Sequence, residues 1–255
     1  MDPYAELGEL YNVIFQQNAE VTAMKNERII AALTSRLNSL DDLTVADIGG
    51  GTGLVTFGIC QLVKRVYLVE PSASMLTFAK KSVQPDISSN VEFVRGSLTA
   101  TTLPDHSVDT VLVINDPFQY LLTLDEQLTA LNEIKRILKP RGLVFLDLMN
   151  FFSLILNYRV PRPLKLAFND KTAIRIFHHA VDAERECWIH RDYIMIEDNK
   201  TGQLKKIEST HELKMVSQTE MYMLLERTGF VDIEIIIPRK NGASTHRIWC
   251  FARIE

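Results

Sequence analysis

The chain has 255 residues, enough for one large α/β unit with an insertion or for two small units sharing a surface. Hydrophobic residues make up 46% and charged residues 24%, and the formal net charge is −4 with no long run of one sign, so a polyanion meets net repulsion and nucleic acid is a poor default partner. The opening MDPYAELGEL lacks the basic start and apolar core of a secretory signal, and no apolar stretch approaches the ~20 residues of a membrane span.

The elements follow in chain order. The segment to about Leu40 reads as helical, with Ile29, Ile30, Leu33 and Leu37 at the spacing of one helix face. Leu43 to Ile48 reads as a buried strand ending in glycines, Leu54 to Val63 as a helix, and Val66 to Val69 as a second strand ending at Glu70-Pro71. Ser72 is the expected N-cap of a helix reaching Lys80-Lys81. Strands follow at Val91–Val94 and Val108–Ile114. A helix is expected over Thr123–Leu138, stopped by Lys139-Pro140-Arg141-Gly142, with its glycine placed for a C-terminal cap. Leu143–Leu148 is the fifth strand. Strand and helix alternating at this spacing predict a doubly wound, mostly parallel α/β sheet.

The pattern then changes. Residues 150–173 read as an irregular or helical crossover, followed by three β-like runs at Ala173–Ala180, Cys187–Glu197 and Leu204–Val216. Asp198-Asn199-Lys200-Thr201-Gly202 supplies a turn between the last two. Gln218–Arg227 returns to helix and stops at Gly229. Phe230–Pro238 and His246–Ile254 close the chain as a hairpin through Asn241-Gly242, which lays the last strand antiparallel. The expected architecture is a seven-stranded sheet with an antiparallel β insertion between strand five and the last helix. Its expected division is an N-terminal helical lid (1–40), a ligand-binding unit (41–149 and 217–255) and an inserted cap (150–216). Cys60, Cys187 and Cys250 lie too far apart for zinc-ligand spacing or a disulfide framework, so three buried thiols in a cytoplasmic protein, and no metal, are expected.

The densest chemical signal is Asp47-Ile48-Gly49-Gly50-Gly51-Thr52-Gly53, between a buried strand and a helix. Glycines there permit a sharp turn and close backbone approach to a ligand at the carboxyl end of the strand. Glu70 ends the next strand, where a carboxylate can accept both hydroxyls of a ribose. Counting six positions from Gly49 or Gly51 reaches Leu54 or Thr56, so the Gly-x-Gly-x-x-Gly of dinucleotide binders is absent.

This arrangement resembles the class I, Rossmann-like S-adenosylmethionine-dependent methyltransferases over nearly the whole chain. Asp47 to Gly53 is similar to their first motif and Glu70 to their ribose-binding acid. Ser97 and Leu98 stand where the family meets the adenine, with Ser97 replacing a frequent aspartate. Leu103 to Asp109 is similar to the lead-in to the fourth strand, and Glu133 to Gly142 to the helix and turn before the fifth. A narrower resemblance, to small-molecule N-methyltransferases of the glycine and deoxyamino-sugar type, rests on Tyr4 and Tyr11 before a helix and on the stretch His190 to Phe230. The resemblance implies S-adenosyl-L-methionine as cofactor, held by Tyr11, Asp47, Gly49, Gly51, Gly53, Glu70, Ser97, Leu98 and Asn115.

The segment after the fourth strand, Asn115-Asp116-Pro117-Phe118-Gln119-Tyr120, must face the methyl donor, because that strand's carboxyl end borders the site. Asn115 could contact the cofactor's methionine end, and the resemblance puts Tyr120 where the deoxyamino-sugar group can place a catalytic histidine; a tyrosine could donate or accept a hydrogen bond there but is a poor base at neutral pH. His178, His179, His190 and His211 lie on the inserted strands, and an inward-facing one could take a proton; neighbours 178 and 179 must face opposite sides. His190 and His211 join Tyr120 as catalytic candidates. Phe151 to Leu156 and Phe168 could roof an apolar pocket or simply pack in the core. The readings left open are methyl transfer to an N or O atom of a small molecule, cofactor binding without transfer, and nucleic-acid methylation, which the acidic balance disfavours. A monomer or homodimer with a small-molecule acceptor, and no nucleic-acid or membrane partner, is expected.

Overall fold

The structure, a computed structural model, describes Tyr4 and residues 10–15, 19–240 and 243–255. Asn241-Gly242, the expected hairpin turn, lies outside the described residues, as does much of the segment before Leu10.

Alternating apolar runs and amphipathic helices produce the elements α1 (Tyr11–Ile14), α2 (Ala19–Thr34), β1 (Thr44–Ile48), α3 (Leu54–Ile59), β2 (Arg65–Glu70), α4 (Ala73–Ser82), β3 (Val91–Arg95), β4 (Val108–Val113), α5 (Leu124–Ile137) and β5 (Leu138–Met149). After these come α6 (Phe151–Leu156), β6 (Leu164–Phe168), β7 (Lys171–Asp182), β8 (Cys187–Asp198), β9 (Leu204–Lys214) and α7 (Gln218–Arg227). The chain closes with β10 (Val231–Ile236), the two-residue strands β11 (Arg239–Lys240) and β12 (Ala243–Ser244), and β13 (Arg247–Arg253).

The main sheet has seven strands in the order β10-β13-β5-β4-β1-β2-β3, and only β13 runs antiparallel to its neighbours. Because β1 to β5 are apolar on both faces, each face takes a helical layer. Leu131 and Ile134 of α5 with Met221 and Leu225 of α7 cover one face; Ile29 and Leu33 of α2, Val55 and Ile59 of α3 and Leu76 of α4 cover the other. A second, wholly antiparallel sheet, β6-β7-β8-β9, lies between β5 and α7 in sequence. Cys60, Cys187 and Cys250 are buried free thiols.

Local signals explain the helix ends. Ser72 accepts from the Met75 N–H, as expected for an N-cap. Thr123 and Glu126 form a capping box at α5, and Ser217 and Glu220 do the same at α7. Two expectations need correction. The crossover at 150–173 contains the strand β6, paired with β7, which its prolines obscured. Gly142 is not a left-handed cap: α5 passes directly into β5 and Arg141 carries the positive φ of 61°. Gly142 is required by proximity, since a Cβ there would lie 2.7 Å from the Lys139 carbonyl oxygen.

A close contact locks α2 to α3. Asn26 is buried and donates to the Leu54 carbonyl at 3.0 Å, and a Cβ at Gly58 would fall 1.9 Å from its Nδ2. Alanine normally gains about 1 kcal/mol over glycine within a helix. Here Gly58→Ala should instead lower the unfolding free energy by roughly 1–3 kcal/mol through overpacking. Urea denaturation of the single variants and of N26A/G58A should show the double variant costing less than the two singles summed.

Candidate functional site

The site is assembled at the carboxyl edge of the parallel strands, from the loop after β1, the end of β2, the turn after β4 and the inner face of the inserted sheet. Gly49, Gly51 and Gly53 have φ of 75°, 57° and 85°, the left-handed region in which a side chain is strained. The Gly51 N–H donates to Glu70 at 2.9 Å, and the Ser72 N–H donates to the other oxygen of the same carboxylate at 2.8 Å. Glu70 is almost fully buried at 5% exposure, so one carboxylate ties the glycine loop to the start of α4.

Asp47 lies behind the loop, against α3. It is buried and accepts from the Thr56 hydroxyl at 2.6 Å, bracing the loop against α3 from behind. Burial, partly offset by the bonds from Thr56, pushes its carboxyl up to about 6. Ser97 pairs with Ala100 through its backbone and turns its hydroxyl to Thr99 at 3.1 Å, while Leu98 is buried in the main core.

The turn after β4 is the most strained backbone near the loop. Asn115 and Asp116 both have positive φ, 66° and 75°. They are held from the neighbouring strands: the Asn115 N–H donates to the Asp147 carboxylate at 3.3 Å and the Asp116 N–H to the Asp147 carbonyl at 3.1 Å. Arg247 pairs with Asp147 at 2.7 Å and with Asp116 at 2.8 Å, and the Trp249 indole donates to Asp147 at 2.9 Å. Burial still raises the Asp116 carboxyl above its usual range, against the pull of Arg247. Pro117 packs so tightly on Gly49 that a Cβ there would lie 2.6 Å from it. Gln119 is fully buried and bonds to both backbone groups of Met149 and to the Lys214 carbonyl, joining this turn to β5 and β9.

Tyr120 thereby reaches the inserted sheet. Its hydroxyl lies 2.8 Å from His211 Nδ1 and 2.6 Å from the hydroxyl of Tyr4, whose ring sits edge-on to Tyr11. Burial raises all three phenols, Tyr11 to about 12. The N-terminal segment bridges both sides: the Thr52 hydroxyl donates to Asn12 at 2.9 Å, and the Arg175 guanidinium lies 4.3 Å from the Phe15 ring centroid.

The histidines are organised by strand register. His179, His190 and His211 are directly opposed across β7, β8 and β9, on the face turned toward Tyr120. His178 faces away and stacks on Tyr193. His190 has both ring nitrogens engaged inside the sheet, Nε2 with Asp192 at 2.6 Å and Nδ1 with His179 at 2.7 Å. Asp192 also takes a two-point bond from Arg175, and these partners hold its carboxyl low against the burial that opposes them. Of the three catalytic candidates, Tyr120 and His211 are hydrogen-bonded, while the His190 ring stands edge-on to His211 at 5.7 Å with its own nitrogens engaged by Asp192 and His179. Tyr4, Ser209, Asp192 and Arg175 complete the assembly; the register of paired strands, once known, would have singled out Asp192 and the histidine row.

Residues 45–142 match the family model described as a methyltransferase domain. The chain is 32% identical over 118 residues to a cypemycin N-terminal methyltransferase from Streptomyces sp, covering 46% of each chain. It spans about half the length of the curated relatives it matches. Among solved structures, the sugar N-methyltransferase KedS8 from Streptoalloteichus sp superposes with a TM-score of 0.79 at 14% identity, covering 97% of this chain and 94% of that one. CalS10, an amino pentose methyltransferase from Micromonospora echinaspora whose structure holds S-adenosylmethionine, gives 0.70 at 15% identity over 96% and 97%. At such identities the shared feature is the fold.

Burial, reinforced by His190, brings the His211 imidazole down to about 4. Because this lies below the ~6.5 of an unfolded histidine, the stability it contributes is present above about pH 6.5 and lost as pH falls toward 4, on the order of 3 kcal/mol. Nitrogen-15 shifts of the His211 ring should remain those of neutral imidazole to near pH 4. The variant H211N should show a shallower loss of unfolding free energy across that interval.

Proposed function

We propose that this chain transfers a methyl group from S-adenosylmethionine to a nitrogen of a small-molecule acceptor; residues 45–142 match a family model described as a methyltransferase domain, and the chain shares its fold with a solved sugar N-methyltransferase. One observation carries the reading. The glycine loop clamped by Glu70 and the hydroxyl string Tyr4–Tyr120–His211 converge at one edge of the sheet.

The donor set suits the cofactor. Glu70 is a carboxylate at the loop, able to accept from vicinal ribose hydroxyls. The Gly49–Gly53 backbone can approach a ligand without side chains intervening, and Asn115 and Tyr11 border it on the acceptor side. When bound, the cofactor supplies a methyl group already activated on a sulfonium. The chain's task is to aim an acceptor lone pair and exclude water, and positioning of that kind supplies up to ~7–11 kcal/mol in favourable intramolecular models.

The acceptor side favours an amine. Tyr4 and Tyr120 stay protonated because burial raises them, and His211 is neutral at pH 7. A neutral His211 accepting the Tyr120 proton at Nδ1 leaves its Nε2–H for Ser209 Oγ at 3.3 Å. The string is therefore a chain of neutral donors and acceptors, suited to orienting a group that arrives with a free lone pair. A hydroxyl acceptor would instead need its proton removed.

Calorimetry should detect S-adenosylmethionine binding in the micromolar range, and Glu70→Ala should weaken it by roughly 10–100-fold through loss of charge-assisted hydrogen bonds. Mass spectrometry should detect S-adenosylhomocysteine formed with members of an amine panel. Tyr120→Phe should keep kcat within about tenfold; a fall of 10²–10⁴-fold would instead mark proton removal from a hydroxyl. Absence of binding heat at high protein concentration would overturn the cofactor assignment.

A further inference from the structure

We propose that the segment from α6 to β6 docks on an anionic lipid surface. Its sequence, residues 150–168, holds Arg159, Arg162 and Lys165 and no carboxylate, within a chain whose formal net charge is −4. Among the described residues none of these three cations forms an ion pair with a carboxylate. Interleaved with them are large apolar side chains turned to solvent: Leu156 is 86% exposed, Val160 82%, and Phe152 and Ile155 are exposed as well. Four such side chains within nine residues are more than a scattered surface hydrophobe, and their arrangement is that of an interfacial element: apolar groups to enter the headgroup layer and cations to meet its charge.

Charge separates this patch from the other exposed apolar area. The outward face of the inserted sheet presents Ile174, Ile176 and Met195, but Glu197 and the Lys206–Glu208 pair lie among them. An anionic surface would be repelled there in part and attracted at 152–165.

The patch also borders the acceptor side of the site. Asn150 caps α6 and donates its N–H to the His246 carbonyl at 2.9 Å, and Ser153 bonds to the His246 ring, which anchors the segment to the carboxyl edge of the main sheet. At the other end Tyr158 packs edge-on against His179 and Trp188 on the inner face of the inserted sheet. Docking at this segment would turn the acceptor side toward the bilayer. Contact of this kind needs no spanning element, and no helix among the described residues is long and apolar enough to cross a membrane.

The test is flotation of the whole purified chain with vesicles of phosphatidylcholine alone or with 30% phosphatidylglycerol (about a third anionic lipid, enough for a strong surface potential). The chain should float with the anionic vesicles only, and binding should weaken as salt is raised. R159Q/R162Q should bind about fivefold more weakly for each cation removed, and L156E/V160E should fall to background. Both variants alter exposed side chains, so each should keep the wild-type thermal midpoint. The proposal is overturned if the wild type stays in the soluble fraction with anionic vesicles, or if L156E/V160E floats as the wild type does. It is equally overturned if the wild type sediments as a dimer that L156E/V160E converts to a monomer, which would assign the patch to a second copy. None of these readouts depends on methyl transfer, so failure here leaves the cofactor assignment standing.

Discussion

The architecture of the site depends on the burial of one carboxylate. Glu70 sits at the end of β2 with both oxygens engaged by backbone N–H groups, one from the glycine loop and one from the entry to α4. Bonds to a charged acceptor are worth about 1.5–3 kcal/mol each, and removing them would leave buried donors without partners. Two segments that follow two different strands are thus fixed to each other. Gly51 adopts the left-handed region, at a φ of 57°, where a side chain would be strained, and its N–H makes one of the two bonds to Glu70.

From that fixed point strain passes to the turn after β4. Pro117 packs on Gly49, so the loop's position dictates where Asn115 and Asp116 must bend, and both adopt a conformation that costs L-residues of order 1 kcal/mol or more. The compensation comes from β5 and β13. Asp147 accepts from Arg247, Trp249 and the Asn115 N–H, and Arg247 spans Asp147 and Asp116. Breaking such a buried pair on one side is costly because it strands a charge. The final strand, remote in sequence from every glycine of the loop, is therefore a structural partner of the turn after β4.

Much of this was legible from periodicity. The five parallel strands, their helices and the three long inserted strands stand where apolar spacing put them, because those elements bury whole faces and each face imprints a repeat. Elements set by single contacts were not legible. The prolines before β6 hid a strand whose pairing is visible only beside β7. The role of Gly142 depends on a carbonyl three residues back rather than on its own φ. Asp47 carries the same residue type whether it faces a ligand or Thr56, and only the packing of α3 decides. The site string is the extreme case: Tyr4 and Tyr120 are 116 positions apart, and Tyr120 and His211 are 91 apart. No local pattern encodes such meetings.

The inserted sheet shows what its inner face is built for. A sheet that existed only to cap the fold would present aliphatic side chains there, as Ala173, Ile194, Ile196 and Ile207 do toward Ile14. Farther along the same face, three opposed histidines, Arg175, Asp192 and Ser209 replace them. Replacing a buried ion pair by well-packed apolar residues is often neutral or stabilising by about 1–4 kcal/mol, so stability alone gives no reason to keep Arg175 and Asp192. What the polar row does is fix directions. Asp192 orients His190 and positions Arg175 against Phe15, and His211 accepts from the Tyr120 hydroxyl, leaving the Tyr120 oxygen to accept from Tyr4. The alternation of the strands thus divides the insertion into an apolar end that holds the N-terminal segment and a polar middle that orders the Tyr120 and Tyr4 hydroxyls.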